Sequence, residues 1–376
     1  MLGVGGGGEY GGPRMASNDL AARLAHTTLE LCRIDSPIGH EGPIADHVEG
    51  WALRHFRRED VFRVGHTLLL GSLDDPRPTV ALIGHLDTVP MHPGDVGRTP
   101  RIEGERVHGL GASDMKGGLA VMMALAEDLR RDTLPVNVAF LLYEREEGAY
   151  AESGLIPLYE KRPDLSRVSF GIAMEPTDGV VQVGCVGSMQ VTVRFNGRSA
   201  HSARPWQGEN AIHKAGPFLT ELLGRERVEV NVAGFPFYEV MSATLAKGGR
   251  ARNVVPEAFE LNLNYRFAPG KSVAQAKQDV LALVAGRADV EFTDASPSGP
   301  VAAGNPLFQR LMALTGLPAA SKQAWTDVAR FGEWGVDAVN FGPGETAQAH
   351  QLHESAPIPP LAVAYEKLAA FLKGAV

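Results

Sequence analysis

Cysteine is scarce in this 376-residue chain: Cys32 and Cys185 are the only two, and neither lies in a CxxC pair. That excludes a cysteine-ligated zinc site and a disulfide framework, and it fits a reducing cytoplasm. Long apolar runs are missing too. None approaches the roughly 18 residues of a membrane span, so no membrane association is expected. Blocks of basic charge are also absent. Lys and Arg number 36 against 44 Asp and Glu, for a formal charge of −8, and the basic residues are scattered. This argues against nucleic acid as a partner and requires a local cationic pocket for any anionic ligand. The opening "MLGVGGGGEYGGPR" has no apolar core of a signal peptide. Its glycines favour a disordered extension over residues 1–16, and Met15 is a candidate translation start.

What is present is apolar material, 44% of the residues, enough for about two domains. Apolar residues recur at helical spacing over Leu20–Leu31, and "GPIADHVEGWALRHF" predicts a second helix. Buried strands are expected at 79–84, 136–143, 168–174 and 337–342, with a helix over 116–131 between the first two. Strand–helix–strand alternation implies an α/β fold, with a mixed, largely parallel sheet sandwiched by helices. The middle of the chain differs. Residues 190–195 alternate with period two, and helix, strand, strand, helix and strand follow. That β-α-β-β-α-β order predicts a ferredoxin-like α+β domain over about 187–296, inserted between the two parts (17–186 and 297–376) of the larger domain.

Metal-ligand types follow the predicted strands at once. "TVALIGHLDTVP" gives His85 and Asp87. "VNVAFLLYEREEG" gives Glu144, Glu146 and Glu147, and "VSFGIAMEPT" gives Glu175. "VNFGPGETAQAHQLHE" delivers His350 and His353, and "GLGASDMKGGLA" sets Asp114 at the mouth of a helix. Loops at the carboxyl ends of parallel strands converge on one crevice. Histidine and carboxylate without thiolate suit zinc or a similar ion, and this many candidates exceed one open tetrahedral site, which points to two metals sharing a carboxylate. Singly, each has an ordinary reading: a surface histidine, a solvated acid, or an N-cap at Asp114. Their coincidence at four strand ends favours a metal centre.

The motifs "GHLDTVP", "GASDMKGGLA", "EREEG", "MEPT" and "HQLHE" together resemble the di-zinc amidohydrolase and exopeptidase family, from about residue 19 to the end. The resemblance implies two zinc ions per subunit, with cobalt or manganese as possible substitutes. It implies metal ligation by His85, Asp114 (bridging, followed by a cis peptide bond), Glu147, Glu175 and His350. His353 stands where the family carries Asn or Asp, and the register of Glu354 favours His350 over it. Asp87 would orient His85, and Glu146 would act as general base. "NGRSAHSARPWQGENAIH" resembles the segment through which His201 reaches the partner's active site. A homodimer through the inserted domain follows, with His201 as an oxyanion donor.

Within the family, "VGCVGSM", "RNVVP" and "FGPGETAQAH" most resemble succinyl-diaminopimelate desuccinylases of actinobacterial type. Better-known members carry an arginine near the position of Cys185. The remaining cationic candidates for a small anionic N-acyl amino acid are Arg266, Arg252 and Arg204, since a guanidinium suits bidentate carboxylate binding. Asn253 resembles the family's lid asparagine, and Thr326 and Gly342 its substrate-carboxylate loops. An acetylornithine deacetylase, a dipeptidase or a non-catalytic binding protein on the same fold are the alternatives.

Overall fold

The computed structural model describes residues 17–374. The expected extension over residues 1–16, and with it the question of Met15, lies outside the described residues.

Four strands stand side by side and parallel: Asn137–Tyr143, Thr79–His85, Phe170–Ala173 and Ala338–Asn340. Every residue of all four is buried, as expected of Val-, Leu- and Ile-rich strands covered on both faces. Antiparallel strands flank them. The hairpin Val61–Val64/Thr67–Leu70 extends one edge, and Val181–Val183 with Ala319–Ser321 extends the other, giving eight strands. One face packs against the helices Ser17–Cys32, Gly42–His55, Gly117–Asp128 and Ile358–Lys373. The other packs against Leu155–Lys161 and Val328–Glu333. A small three-stranded sheet, Arg101–Glu103, Arg106–His108 and Ser355–Pro357, brings the C-terminal part back beside the first.

The expected strands fall within a few residues of their predicted places. The short outer strands were not anticipated. Runs of three or four residues do not stand out from a buried loop by periodicity, and they acquire their ladders only from long-range neighbours. The helix predicted over 116–131 ends at Asp128, where Leu129 turns extended.

Residues between 187 and 296 form a separate five-stranded antiparallel sheet with its own core. Its order is Val228–Val232, Phe235–Gly248, Ala258–Phe267, Gly187–Asn196, Asp289–Ser296. Without the unpredicted edge strand Val228–Val232, that is the ferredoxin-like arrangement. Helices Ala211–Leu223 and Val273–Val284 bury their apolar sides against it. Asn210 Oδ1 caps the first, accepting from Ile212 N at 2.9 Å, and Ser272 with Gln275 forms a capping box on the second. The chain enters and leaves this unit at adjacent points. Cys185 N donates to Gly299 O at 3.3 Å, and Gly299 N donates back to Cys185 O at 3.0 Å.

Candidate active site

The strand Thr79–His85 ends on His85, which is buried. Its Nδ1 lies 3.0 Å from the Asp87 carbonyl oxygen and its Nε2 lies 3.1 Å from Asp114 Oδ1. Asp87, also buried, accepts from the backbone N–H groups of Glu146 (3.1 Å) and Glu147 (3.0 Å). Its carboxylate therefore fixes the acidic loop after Asn137–Tyr143 against the histidine loop. Asp114 precedes the helix Gly117–Asp128, and the Asp114–Met115 peptide bond is cis. Glu354 secures this turn: its two oxygens accept from Gly111 N (2.7 Å), Ser113 N (2.9 Å) and Asp114 N (3.0 Å).

Glu175 follows the strand Phe170–Ala173 and is buried. The backbone beside it is crowded from two sides. A Cβ at Gly118 would come within 2.5 Å of the Met174 carbonyl oxygen, and one at Gly342 would collide with the same atom. Glycine at both positions lets a helix and the loop after Ala338–Asn340 close on this strand end. His350, in the left-handed region with φ of 61°, reaches in from the last loop. Its Nε2 lies 2.8 Å from Glu147 Oε1 and 3.6 Å from Asp114 Oδ2.

These side chains form two triads that share Asp114: His85/Asp114/Glu175 and Asp114/Glu147/His350. The ligand atoms of each lie within 4.8 Å of one another, and a further grouping joins His85, Glu146 and Glu147. The donor set fits a pair of divalent cations: imidazole nitrogens and carboxylate oxygens around one shared acid. The electrostatics fit as well. Burial, with Glu175 and Glu147 alongside, pushes Glu146 well above the usual carboxylate range. Burial, with Asp114 alongside, raises Glu175 to about 7. The hydrogen bond to Glu147 raises His350 to about 9. Burial pushes His85 down, but the bond to Asp114 and the charges of Asp87, Glu146 and Asp114 outweigh it, so the imidazole is held well above its ordinary value. So many buried acids leaning on two imidazoles is a site built around positive charge.

The other expected residues divide. His353 does not join the triads. Its Nδ1 lies 2.8 Å from Asp95 Oδ1 and its Nε2 3.1 Å from Arg98, on the far side of the loop. Glu144 follows the strand end and accepts from His66 N at 2.9 Å, a structural role. His201, Arg252 and Asn253 are exposed on the inserted unit, as is Arg204. His201 pairs with Val254 across a two-stranded ladder, and Ser202 N donates to Asn253 O at 3.0 Å. No contact within the single chain joins them to the triads among the described residues. Arg266 is half-buried on the strand Ala258–Phe267, donating to Asn264 Oδ1 at 3.1 Å, and burial pushes its pKa below the ordinary value. Thr326 is buried, its hydroxyl without a partner. Gly342 packs: its N–H donates to Thr177 Oγ1 at 3.3 Å, and that hydroxyl donates to Gly342 O at 3.1 Å.

Sequence reasoning valued Glu354 only as a register mark and passed over Lys322. The three-N–H cradle of Glu354 depends on a turn that no local pattern announces. Lys322 follows a three-residue strand in an otherwise ordinary polar stretch. Their burial, 5% and 6% exposed, is what singles them out.

Comparison with known proteins agrees with this geometry. The chain is 36% identical over 358 residues to a Mycobacterium tuberculosis protein provisionally named a succinyl-diaminopimelate desuccinylase, spanning 95% of this chain and 99% of that one. It is 33% identical over 339 residues to the succinyl-diaminopimelate desuccinylase of Corynebacterium glutamicum, spanning 88% and 91%. The fold is shared with an M20 family metallo-carboxypeptidase from Sulfolobus solfataricus (TM-score 0.76, 16% identity, 93% and 98% covered). It is shared also with the aminopeptidase PepT of Bacillus cereus (TM-score 0.73, 21% identity, 94% and 98% covered). Residues 81–374 match the model of peptidase family M20/M25/M40, and the chain belongs to that family.

Proposed function

We propose that this metal-dependent amide hydrolase removes succinate from N-succinyl-LL-2,6-diaminopimelate, using two zinc ions. The observation that carries the reading is the pair of triads joined at Asp114, with Glu146 beside both. The two desuccinylase relatives, matched over nearly their whole length, favour the substrate.

In this reading His85, Asp114 and Glu175 hold one ion, and Asp114, Glu147 and His350 hold the other. Manganese or cobalt satisfies the same donors. Bound divalent ions supply Lewis acidity and ease the ionisation of water at neutral pH. Asp87 keeps His85 and the acidic loop in register. Glu146 takes the proton of the attacking water and returns it to the leaving amine. His201, on the inserted unit, serves the partner's site as an oxyanion donor in a homodimer, which is consistent with its exposure within one chain. Arg266, Arg252, Asn253 and Thr326 complete the substrate-binding set in this reading, with Gly342 shaping it through its packing on the strand end that carries Glu175. Cys32 and Cys185 are both free and buried, which suits a reducing compartment, and no helix of the described residues is long and apolar enough to cross a membrane.

A panel of N-succinyl-LL-diaminopimelate, N-acetylornithine and dipeptides, assayed with zinc supplied, tests the substrate. A kcat/KM highest for the succinyl substrate is expected. Preference for acetylornithine would move the chain to the deacetylases, and absence of hydrolysis of any of them would point to a binding protein.

A further inference from the structure

The site contains a buried cation that the proposed chemistry does not use. Lys322 follows the strand Ala319–Ser321 and is 6% exposed. Its backbone N–H continues the ladder to Val183 O at 3.2 Å. Its ammonium forms no ion pair among the described residues. Its one hydrogen bond is to the carbonyl of Pro176, the residue after Glu175, at 3.4 Å. That is long for N–H···O, and an ammonium carries three donors. The other deeply buried cations are better satisfied. Arg330 pairs with Asp327 at 2.8 Å, and Lys116 donates to Ile34 O at 2.9 Å.

A buried ammonium needs compensating charge. Here it comes from the metal-ligand acids: Lys322 acts to lower both Asp114 and Glu175. With those carboxylates committed to divalent ions, the two remaining Lys322 donors would have no partner among the described residues. An ammonium with free donors is complementary to a carboxylate.

We propose that Lys322 binds a carboxylate of the substrate beside the metal pair. The proposal rests on the amide-hydrolase reading and adds its specificity: amides bearing a carboxylate are preferred over neutral ones because of this lysine.

The experiment compares wild type, Lys322→Met and Lys322→Arg, each loaded with zinc, on N-succinyl-LL-diaminopimelate, with metal content measured alongside. Lys322→Met should raise KM about ten- to a hundredfold, the worth of one charge-assisted hydrogen bond. It should change kcat far less and keep the metal stoichiometry, and Lys322→Arg should recover part of the lost affinity. A KM within twofold of wild type overturns the proposal. So does a loss of metal with activity restored by excess zinc, which would make Lys322 a support of the metal site. If wild type prefers another N-acyl amino acid, the desuccinylase reading fails but Lys322 is still tested. The same KM comparison is then run on that substrate, which also carries a carboxylate.

Discussion

Replacing Gly342 by alanine adds one methyl group at the most crowded point of the site. The backbone there is not left-handed, so only space is at issue. The new Cβ would collide with the Met174 carbonyl oxygen and come within 2.6 Å of the Glu175 carbonyl oxygen. Both are main-chain atoms and cannot rotate away, so the strand end carrying Glu175 must shift. Overpacking of this kind costs about 1–3 kcal/mol. With an unfolding entropy of roughly 2.1 cal/mol/K per residue, a chain of 376 residues should lose about 1–4 °C in Tm. A displacement of the order of 1 Å at a metal ligand lowers turnover about a hundredfold. Calorimetric melting, zinc content and steady-state kinetics check this. Gly342→Ala should melt earlier and lose kcat, with metal occupancy at the Glu175 triad reduced and KM little changed. A variant with wild-type melting and kcat but a raised KM would refute the packing argument and return Gly342 to a direct substrate contact.

Four further outcomes are expected. Glu146→Gln should retain both metals by mass spectrometry while turnover falls about 10²–10⁴-fold. Glu147→Ala should lower zinc stoichiometry by one per chain, since His350 loses its 2.8 Å partner as well, and near-full loading would contradict the second triad. Metal binding should release protons: His350, raised to about 9, and the raised His85 are protonated at pH 7 and must be neutral to ligate, and Glu175, at about 7, is half protonated. Affinity for zinc should therefore rise with pH up to about 9, and calorimetry at pH 7 in buffers of different ionisation enthalpy should count roughly two protons or more; no buffer dependence would refute it. Finally, Glu146→Gln and His201→Asn, each inactive alone, should regain about a quarter of wild-type activity when their subunits are mixed at random, if His201 acts across a two-fold dimer.

The four central strands were legible because fully buried parallel strands read as apolar runs, and the ligands at their ends followed directly. Asp87 and Glu147 belonged to separate motifs, and the bond from Glu147 N to the Asp87 carboxylate ties the two loops together in the fold. His350 could be told from His353 only by register. The structure supplies the physical distinction: both histidines have left-handed backbones, but Asp95 and Arg98 hold the second away from the triads. Glu354 and Lys322 were illegible as site residues because burial, not residue type, makes them matter. The inserted unit's core pattern was readable from alternation. Its edge strand Val228–Val232 was not, although it alternates, because none of its residues is buried and it pairs on one side only.

The paired hydrogen bonds between Cys185 and Gly299 have a mechanical consequence. Both ends of the inserted unit leave the catalytic sheet through one stitched point, so the two units meet at a single neck. The same neck is braced by Gln323, which accepts from Tyr238 N at 3.2 Å and donates to Pro236 O at 3.1 Å, one residue beyond Lys322. A carboxylate drawn to Lys322 would thus arrive one residue from the brace between the two units, so ligand binding and the seating of the inserted unit share the same short loop.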